Sequence, residues 1–453
     1  MTVKRNAREV ARRVLARVAQ GAYATPTLAG ELGRSGLGDA DRALATELVY
    51  GVLRLRERLD RALAAHAPRG LGQLDSATHD ALRLGAYQIL FLRVPPHAAV
   101  DDAVEAVKRT RGQRLAGFAN ALLRRLASSG EPPLPPIDDW PAHLAVRDSM
   151  PRWIVDRVLG ALGYDAGAAA LAAFNAPAPT WLRTNTLRTQ RDALMAELQR
   201  ERPQIQLVTS AASPDALAAR HGGDLFATAA YRAGAYMAQD LGAQLVVRLL
   251  GAQPGERILD ACSGLGGKST YLAALSGDGA TIDAADLSSG KLAQARDHAQ
   301  RLGMKSIRTI KADLTLPDAP LAPSYDRVLL DAPCSGLGVL RRHPEAKWTR
   351  TPADVKALAE LQARLLATLA PLVRPGGLLV YAVCTFTEEE GPAQLVHFLS
   401  THGDFQVEPA DIDKDGAEPA LAALAAADGT LRTWPHRDDA DAFYAVRLRR
   451  TNS

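Results

Sequence analysis

The sequence predicts a multidomain protein with an all-α N-terminal domain, a small α+β module and a C-terminal α/β domain built on a parallel sheet. Three observations support this. Apolar residues keep a helical period through residues 5–127, a proline-rich stretch follows at 131–141, and short apolar runs alternate with helical patterns beyond Pro254. The chain has 453 residues, 47% hydrophobic and 23% charged, which suffices for several cores.

The N-terminal domain is expected at residues 1–130. Val10, Val14, Leu15 and Val18 keep the three-and-four spacing of one helical face. Residues 1–130 contain 21 Lys and Arg against 12 Asp and Glu, whereas the remainder contains 33 against 38. This asymmetry favours a polyanionic partner for the first domain, and its alternative is a solvated, arginine-rich helical surface.

An extended linker is expected at residues 131–141, where five prolines occur. Residues 142–250 are expected to form the α+β module, because the helical pattern Trp153–Leu162 is followed by the strand-like segment Thr180–Thr189.

Residues 251–453 are expected to form the α/β domain. Its predicted strands lie at Arg257–Cys262, Ala280–Leu287, Tyr325–Pro333 and Leu378–Thr385. These runs are almost continuously apolar, which is typical of parallel strands covered by helices on both faces.

A glycine-rich loop follows the first of these strands and opens the next helix. Its glycines allow a tight turn and a close approach to a ligand, and the N–H groups at the helix start favour a polar or anionic group. The candidate cofactor contacts in this loop are Cys262, Ser263, Gly264, Leu265, Gly266, Gly267 and Lys268.

Acidic residues stand at the ends of successive predicted strands, at Asp260, Asp286 and Asp313. Asp286 is placed to accept hydrogen bonds from both hydroxyls of a ribose, and Asp313 to reach an adenine. The loop matches neither a dinucleotide fingerprint nor a P-loop, since Gly264 and Lys268 are only four residues apart. The pattern predicts an adenosine-containing cofactor without a pyrophosphate.

Two cysteines, Cys334 and Cys384, follow predicted strands of the same sheet, and Asp331 lies close to the first. Carboxyl ends of parallel strands line one crevice, so both thiols and the carboxylate are expected beside the cofactor. No metal is expected, because no CxxC or HExxH spacing occurs. The absence of a GxSxG elbow argues against a serine hydrolase.

Four segments together resemble the motifs of the Sun/Fmu-type RNA cytosine-C5 methyltransferases: DACSGLGGK, DLSSGKL, LLDAPCSGLGVLRRHPEAKWTR and YAVCTFTEEE. The region from NAREVARRVL to GFANALLRRLA resembles a NusB-type RNA-binding domain, and the combination resembles the RsmB subfamily, which methylates 16S small-subunit ribosomal RNA. The resemblance implies S-adenosylmethionine as cofactor, a class I Rossmann-like methyltransferase fold and an RNA-binding role for residues 142–250. One departure is that Gly264-Leu265 replace the usual Ala-Pro, and leucine cannot impose proline's fixed φ.

The resemblance also implies catalytic roles. A thiolate that adds to C6 of cytosine makes C5 nucleophilic, and this role falls to the cysteine matching Cys384. The cysteine matching Cys334 assists product release, and Asp331 matches a carboxylate that contacts cytosine and lies near the cofactor. The residues alone leave either thiol as the nucleophile, since DNA cytosine-C5 enzymes use the Pro-Cys thiol, here Cys334.

A basic segment with an aromatic residue follows the Cys334 loop. Charge suits phosphates and an indole suits base stacking, so contacts to RNA are expected from Arg341, Arg342, Lys347 and Trp348. The alternative is an exposed loop whose tryptophan belongs to the core.

The expected partner is RNA, specifically small-subunit ribosomal RNA, with no protein partner required. No run of 18 apolar residues and no signal-peptide pattern occurs, so a cytoplasmic protein without a membrane association is expected. Two other functions stay open. The same chemistry could act on transfer RNA, or the chain could be a NusB-like RNA-binding factor with an inactive methyltransferase module, against which the intact Cys334, Cys384 and Asp331 argue.

Overall fold

The computed structural model describes residues 6–68, 70–409 and 419–452. Its contacts divide the chain into two compact units. The helical unit comprises Met1–Ala176 and Leu340–Arg350, and the sheet unit comprises Pro177–Val339 and Thr351–Ser453. The chain therefore leaves the sheet unit after Val339, contributes eleven residues to the helical unit and returns at Thr351.

The helical unit is built from helices, most of which are joined by short connections. The first begins where the Asn6 side chain accepts a hydrogen bond from the Glu9 N–H, which satisfies a free helix-end donor. Close packing shows at Gly51, where an added Cβ would lie 2.0 Å from the Tyr87 ring. Its main helices are α1 (Ala7–Val18), α2 (Ala24–Gly33), α3 (Asp39–Arg54), α4 (Arg56–Ala64), α5 (Ser76–Phe91), α6 (Pro96–Arg111), α7 (Gln113–Ser129), α8 (Trp140–Arg147), α9 (Arg152–Leu162) and α10 (Tyr164–Asn175).

The sheet unit begins with a small antiparallel sheet. Leu182 and Leu217 pack from one face of this sheet onto α11, while Trp181 points into the core of the larger sheet that follows. The described elements are β1 (Thr180–Thr184), α11 (Arg191–Glu201), β2 (Gln206–Thr209), β3 (Ala216–Arg220), α12 (Ala229–Arg232) and β4 (Tyr236–Ala238), with strand order β2-β3-β1-β4.

A larger, mostly parallel sheet forms the rest of the unit. Its described strands are β5 (Arg257–Ala261), β6 (Thr281–Asp286), β7 (Ile307–Lys311), β8 (Tyr325–Asp331), β9 (Val373–Val383), β10 (Phe405–Val407), β11 (Leu431–Thr433) and β12 (Phe443–Arg450). The order is β10-β12-β9-β8-β5-β6-β7, with β11 paired to β12. Strands β5 to β9 run parallel, and β12 is antiparallel to β9.

Helices cover both faces of this sheet, whose sides carry separate buried clusters. The helices are α13 (Leu241–Leu250), α14 (Gly267–Leu275), α15 (Ser289–Leu302), α17 (Pro352–Leu369), α18 (Pro392–Thr401), α19 (Pro419–Ala422) and α20 (Pro435–Asp438), while the short α16 (Ala346–Thr349) belongs to the helical unit. These elements confirm the predicted fold class.

One strand begins earlier than the sequence predicted. Strand β9 starts at Val373 and not at Leu378, because a register shift lets Val373 pair with Tyr325 while Leu378 pairs with Arg327. Gly376, at φ 72°, takes a backbone conformation inside this irregular stretch that favours glycine.

The parallel strands all end at one edge of the sheet. Strand order reverses at β5, because β6 and β7 lie on one side of it and β8 and β9 on the other. Such a reversal opens a crevice outside the carboxyl ends of the strands, where α/β proteins bind ligands. Within the part of the chain that the structure describes, no helix is long and apolar enough to cross a membrane.

Candidate active site

The predicted site residues meet at this edge. Asp286 is the last residue of β6, Asp331 is the last residue of β8, and Cys384 directly follows β9. Asp260 lies inside the end of β5, and Asp313 follows β7 by two residues. The glycine-rich loop leads from β5 to α14.

The glycine-rich loop turns through left-handed backbone conformations. Cys262, Gly264 and Gly266 have φ values of 60°, 56° and 75°. A Cβ at Gly266 would lie 2.8 Å from the Ala295 side chain, so glycine is required there for packing as well as for φ. Leu265, at the family's proline position, is exposed, and its carbonyl accepts a hydrogen bond from the His298 ring at 2.9 Å.

Asp286 organises this loop from the neighbouring strand. Its carboxylate accepts hydrogen bonds from the Gly264 N–H at 3.0 Å and the Ser288 N–H at 2.8 Å. A carboxylate has about four acceptor positions, so capacity for a ligand hydroxyl remains. The contact between Asp286 and a ribose stays a prediction.

Asp313 is an exposed residue in a turn. Its carboxylate accepts hydrogen bonds from the Thr315 hydroxyl at 2.7 Å and the Thr315 N–H at 3.0 Å, and these bonds lower the pKa of Asp313. The predicted contact between Asp313 and an adenine stays a prediction.

Two buried polar atoms beside the loop have no partner among the described residues: Oδ1 of Asp260 and Oγ of Ser263. Burial raises the pKa of Asp260 to about 7, although the Ser269 hydroxyl donates to its other oxygen at 2.5 Å. Unsatisfied buried polar atoms are costly, and a polar ligand in the loop would satisfy them. The residues present therefore fit a cofactor such as S-adenosylmethionine.

An ion pair joins the loop to the next strand end, with Nζ of Lys268 2.5 Å from Oδ2 of Asp331. Burial by itself would lower the pKa of Lys268, but the charge and hydrogen bond of Asp331 raise it overall. Lys268 is therefore a fixed cation in the crevice, and it orients the carboxylate of Asp331.

The two cysteines are in contact. Sγ of Cys334 lies 3.3 Å from Sγ of Cys384. The hydrogen bond with Cys384 and burial raise the pKa of Cys334 well above its ordinary value. The third cysteine, Cys262, is also kept as a thiol, because burial raises its pKa to about 12.

Sequence reasoning missed two side chains that support this site. Arg183 on β1 is fully buried and donates to the Gly267 carbonyl at 2.7 Å and the Thr270 hydroxyl at 3.0 Å, so the small sheet holds the first turn of α14. The sequence signal that could have found it is an arginine directly after Trp181 and Leu182 in the predicted strand. Glu390, the last glutamate of TFTEEE, is fully buried beside the cysteines.

The predicted RNA-contact segment departs from expectation. Lys347 is buried and donates to the Arg54 carbonyl, the Ser149 carbonyl and, at 2.6 Å, the Asn175 side chain. Arg341 is also buried and donates to the Ala176 carbonyl. These two residues anchor Leu340–Arg350 in the helical unit, so their burial corrects the expectation that they contact RNA.

The other two residues of that prediction are only partly buried. Trp348 donates its indole N–H to the Leu53 carbonyl at 2.7 Å, and the Arg56 guanidinium lies 5.6 Å from its ring centroid. Arg342, near the start of the same segment, is half-buried. A contact of either residue with RNA stays a prediction.

Three family models match the chain: "16S rRNA methyltransferase RsmB/F" over residues 247–449, "NusB family" over 5–128 and "Methyltr_RsmF/B-like, ferredoxin-like domain" over 150–224. The solved structure named "Crystal Structure of PH0851" superposes with a TM-score of 0.82 at 22% identity, covering 99% of this chain and 100% of that one. A methyltransferase homolog protein from Pyrococcus horikoshii superposes with a TM-score of 0.58 at 24% identity, covering 69% and 99%. At these identities, the two superpositions support the fold alone.

Curated relatives match almost the whole chain. A probable ribosomal RNA small subunit methyltransferase B from Synechocystis is 34% identical over 91% of this chain and 92% of its own length. A probable ribosomal RNA small subunit methyltransferase B from Bacillus subtilis is 32% identical over 99% of each chain. With these matches and a crevice that fits the cofactor, the chain belongs to the RsmB/F family of 16S rRNA methyltransferases, which use S-adenosylmethionine as methyl donor.

Proposed function

We propose that this chain methylates C5 of a cytosine in 16S ribosomal RNA through a covalent bond between Cys384 and C6. The observation that carries the proposal is the 3.3 Å contact between Cys334 and Cys384 at the strand edge that also holds the Lys268–Asp331 pair. One thiol suffices to attack, and a second thiol in contact with it suits the step that reverses the attack.

Cys384 starts the reaction. Its sulfur bonds to C6, the electrons of the C5–C6 double bond move toward C5, and the thiol proton passes to N3 of the ring. The carboxylate of Asp331, oriented by Lys268, accepts the resulting N3–H hydrogen bond and stabilises the altered ring. S-adenosylmethionine, when bound, supplies the methyl group that C5 takes up.

Cys334 completes the reaction. The C5 proton passes to the Cys334 sulfur while the proton of Cys334 passes to the Cys384 sulfur. The electrons of the C5–H bond restore the C5–C6 double bond, and the bond between sulfur and C6 breaks. Both thiols are regenerated, and N3 loses its extra proton to water. The exchange needs the two sulfurs in contact, as they are here.

RNA is expected to meet the chain at more than the reacting cytosine. Residues 1–130 carry the excess of Arg and Lys, which supports an RNA-binding role for the helical unit. Reaching C5 requires the cytosine to leave its stack. Because the substrate is ribosomal RNA, the proposed place of action is the cytoplasm.

Cysteine replacements test this function. We expect Cys384→Ala to lose methylation and to form no covalent complex with RNA. Cys334→Ala should form the complex with ordinary RNA but fail to resolve it, so that a slow protein–RNA band accumulates on denaturing gels. The control is wild type with 5-fluorocytosine RNA, in which no C5 proton can leave. Methylation by Cys384→Ala would refute the covalent role of Cys384, and the band in Cys384→Ala alone would exchange the two roles.

A further inference from the structure

Glu390 lies at the centre of a buried hydrogen-bond cluster that touches both cysteine loops. The residue has no exposed surface. Oε1 accepts from the Ser335 N–H at 2.7 Å and from the Gln362 side chain at 3.1 Å. Oε2 accepts from the Ser335 hydroxyl at 2.5 Å and from the Thr387 hydroxyl at 2.8 Å. The carboxylate thus uses four neutral donors.

These donors connect the carboxylate to the two thiols. Ser335 directly follows Cys334, and Thr387 lies three residues after Cys384. The Ser335 hydroxyl also lies 3.0 Å from the Thr385 hydroxyl, next to Cys384. One buried side chain therefore fixes the stretch after each cysteine.

Helix α17 and strand β9 complete the cluster. Gln362 on α17 donates to the Pro333 carbonyl at 2.9 Å, immediately before Cys334. Tyr381 on β9 donates to the main-chain carbonyl of Glu390 at 2.6 Å. Residues on both sides of Cys334 are thereby linked to Glu390, which accounts for the close contact of the two sulfurs.

The cluster also affects the charge on Cys334. The groups that raise its pKa are Cys384, with which it shares a hydrogen bond, burial, and the carboxylates of Glu390 and Asp331. Tyr381 on β9 faces it as well, and its own pKa is raised by burial and by Cys334. Each of these neighbours is neutral or negative, so each favours the protonated form of Cys334.

We propose that Glu390 is the positioning residue that distinguishes the two thiols: its carboxylate fixes the Cys334 loop against the Cys384 loop and, through its charge, holds the proton on Cys334. This rests on the covalent function proposed above, in which Cys334 must bring a proton for the departing Cys384 sulfur. Without the charge, the hydrogen bond with Cys384 and burial would still favour the thiol, but a larger fraction of Cys334 would be ionised and would arrive at the release step without that proton.

Glu390→Gln tests the role of the charge. The Gln oxygen can keep the bonds from the Ser335 N–H and Gln362, and the Ser335 and Thr387 hydroxyls can reverse to accept from the new amide. The matched control is Glu388→Gln, which removes an exposed charge two residues away. The measurement is alkylation of each cysteine by iodoacetamide in the full chain, followed by peptide mass spectrometry.

We expect Cys334 alkylation at pH 8 to be at least about threefold faster in Glu390→Gln than in wild type or Glu388→Gln, because a greater thiolate fraction outweighs its lower nucleophilicity. Equal rates would overturn the charge role. This measurement uses no RNA, so it is independent of the proposed function. In the RNA assay, Glu390→Gln should accumulate the covalent band, though less than Cys334→Ala. If Cys334→Ala itself forms no band, the proposed function fails while the alkylation result stands.

Thr387→Val tests the positioning role separately and serves if Glu390→Gln does not fold. It keeps the charge of Glu390 and removes one tether on the Cys384 side. We expect covalent-complex formation in a single turnover to slow at least about threefold, because small misplacements of a nucleophile are costly. The calorimetric affinity for S-adenosylmethionine should stay unchanged. An unchanged rate of complex formation would overturn the positioning role.

Discussion

Lys268 in the sheet unit and Lys347 in the helical unit are both largely buried, but their surroundings are opposite. Lys268 contacts the carboxylate of Asp331, which raises its pKa. Lys347 donates to neutral oxygens, and burial together with the charge of Arg54 lowers its pKa to about 7, although Asp148 opposes this. A buried lysine is therefore a fixed cation in the sheet unit, where a carboxylate contacts it, and a proton-dependent anchor in the helical unit, where its hydrogen-bond partners are neutral.

The largest expected effect comes from Lys268→Met. The change removes the cation that orients Asp331, so we expect methyl transfer in a single turnover at saturating cofactor to fall at least about a hundredfold. The matched control is Lys347→Met, which removes the other buried lysine. Its rate of methyl transfer per folded molecule should stay within about threefold of wild type, because the contacts of Lys347 do not stabilise the transition state. A near wild-type rate of methyl transfer in Lys268→Met would show that the Lys268–Asp331 ion pair does not contribute to the reaction.

The next effect is on stability. The pKa of Lys347 is lowered on folding from 10.5 to about 7. Below pH 7 both states are protonated and the cost of burying the charge is full. Between pH 7 and 10.5 only the unfolded state binds this proton, so the unfolding free energy should rise with pH by up to ~1.4 kcal/mol per unit from this group.

Denaturant unfolding of wild type and Lys347→Met between pH 7 and 9 would measure this rise. The slope should be present in wild type and flatter in the variant. Lys268 contributes no slope in this window, because its folded-state pKa is raised and its stabilisation is lost only above 10.5. Equal slopes in wild type and Lys347→Met would show that Lys347 stays charged like Lys268.

A smaller effect is expected from exposed arginines of the two units. Arg13 and Arg109 are exposed on the helical unit and border one groove. If RNA lies there, the double variant Arg13→Gln, Arg109→Gln should reduce the slope of log affinity against log salt by roughly 0.7–0.9 per charge. The control replaces Arg364 and Arg374, which are exposed on the sheet unit outside residues 142–250. Equal slopes of log affinity against log salt in both double variants would show that the two arginines of the helical unit belong to a solvated surface that does not contact RNA.

Sequence reasoning succeeded where a site residue is adjacent in the chain to the strand or helix that positions it. Asp331 and Cys384 are flanked by their own apolar strands, so their meeting at one edge followed from the rule for parallel sheets. The same holds for the glycine-rich loop between β5 and α14. In each case the residues that determine the position of the side chain or loop lie next to it in the sequence.

Sequence reasoning failed where a role depends on distant partners. The segment RRHPEAKW has the composition of an exposed RNA-binding loop, yet Lys347 contacts residues 172, 198 and 293 positions away. Glu390 looks like one of three equivalent glutamates, and only the fold buries it against Ser335 and Gln362. No local pattern distinguishes a solvated charge from a buried one.

The excursion of Leu340–Arg350 into the helical unit sets an order of events during synthesis. Ala24, Leu53 and Arg54 emerge early, but their hydrogen-bond partners Glu345, Trp348 and Lys347 lie about 300 residues later. After Ala176, 164 further positions lead to Leu340. At about 5–20 residues per second, synthesis of these positions takes roughly ten to thirty seconds. During this time the N-terminal helices lack the segment Leu340–Arg350. The unit that is translated first is therefore completed only after the glycine-rich loop and Cys334 have been made.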